Sequence, residues 1–99
     1  MVDVEFDDDD LDRLETDREY FGSHGVPVVR AFRRTMQFIR AARDERDLYA
    51  MKSRRFEKLK GKRQHQHSLR LNDQWRLIVE IRGEHPQKRI AVIEINDYH

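Results

Sequence analysis

The chain has 99 residues, enough for one domain of modest size, residues 1–99. Only 37% are hydrophobic, so the core must be small, while 39% are charged, well above the usual share of about a quarter. There is no cysteine, which excludes disulfides and thiolate metal sites, and no apolar run reaches the length of a membrane span or a signal peptide. A cytoplasmic protein with no membrane partner is expected. The net charge of +1 conceals an asymmetry. Residues 1–50 carry 13 acidic and 8 basic side chains, whereas residues 51–99 carry 6 acidic and 12 basic. The densest run, Lys52 to Arg63, has seven cations against Glu57 alone. Such a segment attracts polyanions, although a charge run is more often only a solvated face.

Val2 to Phe6 alternates and suits a short first strand. The acidic run Asp7–Asp10 precedes Leu11, Leu14 and Phe21 at helical spacing, where carboxylates favour the positive end of a helix. Pro27 suits a first helical position, and Val28, Val29, Phe32, Met36, Ile39 and Ala42 repeat every three or four residues, which predicts a helix over 27–43. Arginines take much of its remaining surface. Asp44 can cap a further turn or two up to Met51. The period then changes to two. Arg55–Leu59, His67–Leu71, Trp75–Ile81 and 89–96 read as strands, with a turn at Asn72-Asp73-Gln74 and another around Pro86. Helices followed by an antiparallel meander predict an α+β domain, two main N-terminal helices packed on a three- to four-stranded, mainly antiparallel sheet. The long helix should bury Val29, Phe32, Met36 and Ile39 against Leu69, Leu77, Val79 and Ile93.

Alternation also sorts the polar residues. Leu69 and Leu71 share one face and leave Arg70 on the other; Trp75, Leu77 and Val79 do the same for Arg76. Pairing through the Asn72 turn brings Arg70 near Arg76 on the face away from the helices. Two guanidinium forks there form a phosphate clamp, and Lys60, before Gly61, can add a third charge. His99 follows the last strand. An imidazole held beside cations can move a proton during 2′-hydroxyl attack on a phosphate, chemistry that needs no metal.

The runs Leu59-Lys60-Gly61-Lys62-Arg63, His67-Ser68-Leu69-Arg70-Leu71-Asn72-Asp73-Gln74-Trp75-Arg76-Leu77 and Asp97-Tyr98-His99 resemble the HigB group of RelE/ParE-superfamily toxins. The order of helices and strands agrees over most of the chain, with the specific part in 56–99. The resemblance implies a plasmid-maintenance or host-inhibition toxin that cuts messenger RNA in the ribosomal A site. It also implies inhibition by a helix-turn-helix antitoxin, through which alone operator DNA would be met, and no cofactor. By position, Lys60, Arg70, Arg76, Tyr98 and His99 match the catalytic set, and Asp97 an acidic position. Some members have a histidine three residues before the Lys60 position; this chain has Glu57. The acidic N-terminus is unusual for a protein that docks on ribosomal RNA.

Lys52, Arg54, Arg55, Lys58, Lys62 and Arg63 are candidate RNA contacts, and His67 can line the same groove. His65 and His67 form a His-x-His pair on one strand face, which can bind zinc or nickel, but no further ligand is evident and no metal is expected. Trp75 suits the core better than base stacking. Tyr98 can close the core, orient a base, or both. Two other classes compete: a gyrase inhibitor of the ParE type that cuts no RNA, and a non-catalytic RNA-binding domain.

Overall fold

Hydrophobic periodicity of 3.6 in the first half and of two in the second produces helices on one face of a sheet. The computed structural model describes residues 2–63, 65–84 and 87–97. In chain order these form β1 (Asp3–Phe6), α1 (Asp9–Thr16), α2 (Val26–Ala41), α3 (Glu45–Ala50), a 3-10 turn (Lys52–Arg54), β2 (Glu57–Lys58), a second 3-10 turn (Gly61–Arg63), β3 (Gln66–Arg70), β4 (Trp75–Arg82) and β5 (Arg89–Asp97). The fold is α+β, with three helices on one mostly antiparallel sheet. Its five strands run β1-β5-β4-β3-β2, so all five strand segments of the sequence join one sheet, larger than the three or four strands expected of it. Only β1, parallel to β5, departs from the antiparallel pattern. No helix among the described residues is long and apolar enough to cross a membrane.

Helices α1 and α3 start where a side chain can satisfy their free amides, while α2 follows Gly25 with Pro27 in its first turn. Asp8 caps α1, accepting from the Asp10 amide at 2.8 Å, and Asp44 caps α3, accepting from the Arg46 amide at 2.9 Å. Helix α1 ends at Thr16, so Phe21 lies beyond it. Its C-terminal end is closed by Arg33 of α2. Arg33 Nε donates to the Leu14 carbonyl at 2.9 Å, and Nη2 donates to the carbonyls of Asp17 at 3.1 Å and Tyr20 at 2.8 Å. A cation there also suits the negative end of the helix dipole. Its guanidinium carbon lies 4.7 Å from the centre of the Phe21 ring.

The core forms between these helices and the inner face of the sheet. Val29, Phe32, Met36, Ile39, Leu69, Leu77 and Val79 are all buried there, as their spacing predicts. Ile93 is not part of that cluster. A β-bulge shifts the β4–β5 register between Ile78 and Val79, so Ile78 faces Glu94 and Val79 faces Val92. Val92 and Ile90 take the inward positions instead. The Arg55–Leu59 strand is also shorter than predicted. Lys52–Arg54 is a 3-10 turn, and Arg55 sits at φ +47°, a left-handed conformation that cannot continue a ladder, so only Glu57 and Lys58 pair. At the other end of β4, Gly83 (φ +81°) makes the turn, and a Cβ there would lie 2.7 Å from the Gln87 carbonyl oxygen.

Candidate active site

The β3–β4 hairpin sets the geometry. Asn72 Oδ1 accepts from the Gln74 amide at 2.9 Å and the Trp75 amide at 2.8 Å, fixing the tight turn. Its register places Arg70 directly opposite Arg76, and Leu69 opposite Leu77. Because Leu69 and Leu77 belong to the core, the two arginines stand on the opposite, outer face. On the far side of β4, Arg76 faces Asn96 of β5, and Trp75 faces Asp97. Gln74 Nε2 donates to Asp97 Oδ2 at 3.0 Å, tying the end of β5 to the hairpin turn. The row Arg70–Arg76–Asn96 thus crosses three strands, and the last described residue of β5 is fixed beside it. Tyr98 and His99, which follow directly, lie outside the described residues.

A second row on the same face holds Ser68, Ile78 and Glu94. Arg63 reaches over it. Its Nε donates to Gln66 Oε1 on β3 at 2.9 Å, and Nη2 donates to Glu94 Oε1 on β5 at 3.1 Å, so the side chain spans β4 between them. This explains how Ile78 and Ser68 are buried on the face without helices. Asn96 Nδ2 also donates to Glu94 Oε1 at 3.1 Å. Arg63 therefore straps the Gly61–Arg63 turn across the sheet. Lys60 precedes that turn, is exposed, and shares a concavity with Glu57, Lys58, Leu59 and Arg63. Lys52, Arg55, Lys58 and Lys62 are exposed too, while Arg54 is half-buried and donates from Nη1 to the Thr35 hydroxyl of α2 at 3.1 Å.

His67 is not brought to this face. It is 8% exposed on the helix side, stacked on Phe56 with ring centres 4.7 Å apart, and its Nε2 lies 2.9 Å from the Tyr49 hydroxyl. Burial first, and the charge of Lys58 second, hold its pKa below the ordinary value, against a weaker opposing pull from Glu45. The expected His-x-His pair does not form either. The strand begins at Gln66, so alternation does not extend back to His65. His65 Nε2 instead lies 3.7 Å from Glu80 Oε2 of β4, a residue that stands opposite Gln66 on the outer face. No group of three or more His, Cys, Asp or Glu among the described residues could hold a metal. Trp75 is half-buried beside the core and meets the His24 ring edge-on at 5.6 Å.

Much of the acidic N-terminal charge is engaged within the fold. Arg82 pairs with Asp7 at 2.7 Å, Glu80 at 3.1 Å and Glu5 at 3.3 Å, and Arg89 also pairs with Glu5. Hydrogen bonding from Arg82 lowers the pKa of Asp7, and bonding from Gln66 and then Arg82 lowers that of Glu80, against a contribution from burial. Glu15 binds Arg40 through both oxygens at 2.6 Å. These acids balance cations on β4, β5 and α2, away from the Lys52–Arg63 segment. The supporting positions Glu94, Gln66, Asn96 and Gln74 were not singled out in the sequence. Even-numbered spacing places Glu94 and Asn96 on the Arg76 face, but only the register across β4 brings them into play.

This combination of a small helical layer, a five-stranded sheet and a cationic outer face defines a RelE-like toxin domain. Its fold is similar to that of a YoeB/ParE toxin from Agrobacterium tumefaciens, at a TM-score of 0.57 over 99% of this chain and 100% of the other, with 16% identity. No curated protein matches the chain. A family model described as the RelE-like toxin of the type II toxin-antitoxin system HigB matches residues 4–99, and the chain belongs to that HigB-like toxin family. Membership implies an antitoxin partner.

Proposed function

We propose that the protein is a cytoplasmic, ribosome-dependent endoribonuclease that inhibits translation by cutting messenger RNA. The observation that carries this reading is the row Arg70–Arg76–Asn96, with the end of β5 fixed at its side. Two guanidinium groups on one sheet face suit a phosphodiester, and the chain continues from Asp97 into a phenol and an imidazole. In this mechanism His99 transfers a proton during 2′-hydroxyl attack, as base or as acid for the leaving 5′-oxygen. Tyr98 orients it. Arg76, with Arg70 and Lys60, holds the phosphate and stabilises the charge that develops on it. The exposed cations at Lys52, Arg55, Lys58 and Lys62 draw the protein to ribosomal and messenger RNA. The antitoxin is a helix-turn-helix protein encoded beside the toxin, and DNA is reached only through it.

The test is ribosomes programmed with a defined messenger, with and without the protein. The expected products carry a 2′,3′-cyclic phosphate (or the 3′-phosphate from its hydrolysis) and a 5′-hydroxyl, the ends left by 2′-hydroxyl attack. Gyrase inhibition without RNA cleavage, or salt-sensitive RNA binding without a cut, would overturn the reading.

A further inference from the structure

Beside the Arg70–Arg76 row, at the turn end of the hairpin, lies a cleft lined by Ser53, Arg54, Arg70, Leu71, Asn72 and Asp73. Two cations enter it from different parts of the chain. Arg54 comes from the first 3-10 turn, and its guanidinium is anchored on the hydroxyl of Thr35, a fully buried residue of α2. That anchor is a neutral group, so it orients the guanidinium without cancelling its charge. Arg70 comes from β3, and its other neighbour across the hairpin is Arg76. It therefore stands between the cleft and the row assigned to the scissile phosphate. Ser53 adds a hydroxyl donor, and Leu71, 7% exposed, an apolar wall.

An anion already touches this cleft. The Asp73 carboxylate is hydrogen-bonded to Arg70 Nη2, while its side chain is 96% exposed on the Asn72–Gln74 turn. An ion pair this open to water is weak, and a competing oxyanion displaces it at little cost. A phosphodiester presents the same two-oxygen, singly charged edge to a guanidinium fork as a carboxylate does.

We propose that the cleft of Ser53, Arg54 and Arg70 is a second phosphate subsite, which grips a non-scissile backbone phosphate of the bound RNA strand, and that Asp73 occupies it in the free protein. This rests on the nuclease reading, since it takes the Arg76 row as the place of the scissile phosphate. Arg70 then serves both phosphates and fixes their spacing. Arg54 and Ser53 act in binding and register, and Asp73 sets a threshold that a polyanion must exceed.

The experiment measures binding of hexanucleotides made uncleavable by 2′-O-methylation, each carrying one uncharged methylphosphonate linkage at a different position. In the full-length wild-type protein, neutralising one particular non-scissile linkage should weaken binding roughly tenfold, the scale of one hydrogen bond to a charged group. In Arg54→Gln that linkage should lose its special effect, while the other linkages keep theirs. Asp73→Asn should tighten binding of the all-phosphate strand several-fold, but not of the strand neutral at that linkage. The Asp73 arm keeps the test valid if Arg54→Gln fails to fold, because Asp73 is almost fully exposed. An Arg54→Gln protein weakened equally at every linkage, or an Asp73→Asn protein with unchanged binding, overturns the subsite. If the wild type cuts messenger RNA on ribosomes, that outcome leaves the nuclease reading standing. A wild-type protein that binds none of the strands and cuts no messenger overturns both.

Discussion

Arg70 and Arg76 stand directly opposite each other across β3 and β4. Like charges at paired cross-strand positions are destabilising, by a few tenths to about 1 kcal/mol relative to neutral pairs. Two like charges placed face to face are expected where activity, not stability, selects the residues. Arg76→Ala should therefore abolish most cleavage, about 10²-fold or more for a group that stabilises transition-state charge. The variant should remain folded at the assay temperature. Calorimetry beside single-turnover cleavage checks this, and a protein that loses activity only because it unfolds sinks the assignment.

His99→Gln is the complementary substitution. It removes the proton carrier and keeps an uncharged side chain of similar reach. Single-turnover cleavage on programmed ribosomes should fall by about 10²-fold or more, the usual scale for general acid–base catalysis, while ribosome binding stays near wild type. An undiminished rate would remove His99 from the mechanism.

Reversing two or three of Lys52, Arg55, Lys58 and Lys62 should weaken ribosome binding and flatten its dependence on salt, because fewer counterions are released. These side chains are exposed, so the fold should survive. Cleavage of messenger already bound should suffer less. An unchanged salt slope would make the segment a solvated surface and nothing more.

Arg33 closes the end of α1 through its three carbonyl contacts. Arg33→Met keeps the aliphatic stem and loses the donors. It should cost about 1.5–3 kcal/mol, the range for hydrogen bonds to a charged group. Denaturant unfolding measures the loss, and hydrogen exchange should place the extra opening in residues 9–21. A variant as stable as the wild type would show that water replaces the guanidinium without penalty.

The neutral His67 ring is the form the fold holds, since burial lowers its pKa from the ordinary 6.5. The unfolded chain therefore binds the proton first as the pH falls. Stability should be level above about pH 7, then decline as the pH drops through 6.5 towards the lowered folded value. His67→Phe keeps a ring against Phe56 and should abolish this part of the profile. Losses from Asp7, Asp47, Glu80 and Asp44, whose pKa is held near about 2 by hydrogen bonds from Arg46, belong to more acidic solution. An identical profile in both proteins would show that His67 does not titrate on unfolding.

How much of this was legible before the structure follows from the range of each interaction. Helix α2, the hairpin and the position of Arg70 beside Arg76 are local, and periodicity with a single turn determines them. The inward place of Ile93 failed because one extra residue in β5 inverts the alternation, and nothing near Ile93 marks the bulge. His65 and His67 separated because the strand starts between them. Arg63 over β4, Arg54 on Thr35 and Arg33 on the end of α1 are long-range contacts of flexible side chains, for which sequence spacing gives no signal. The acidic first segment looked out of place until its partners on β4, β5 and α2 were visible.

The strand order has a consequence for synthesis of the protein. β5 is translated last, yet it lies between β1, which is translated first, and β4. Until residues 89–97 emerge, β1 has no ladder to join, and the edge of β4 that will face Asn96 remains open. Chains grow from the N-terminus, so the helices are available to fold before the last strands are. The two outer parts of the sheet close only when the last strand inserts. A polypeptide cut short within β5 would thus lose an internal strand, not an edge. The row Arg70–Arg76–Asn96 is complete only once residues 89–97 have been made.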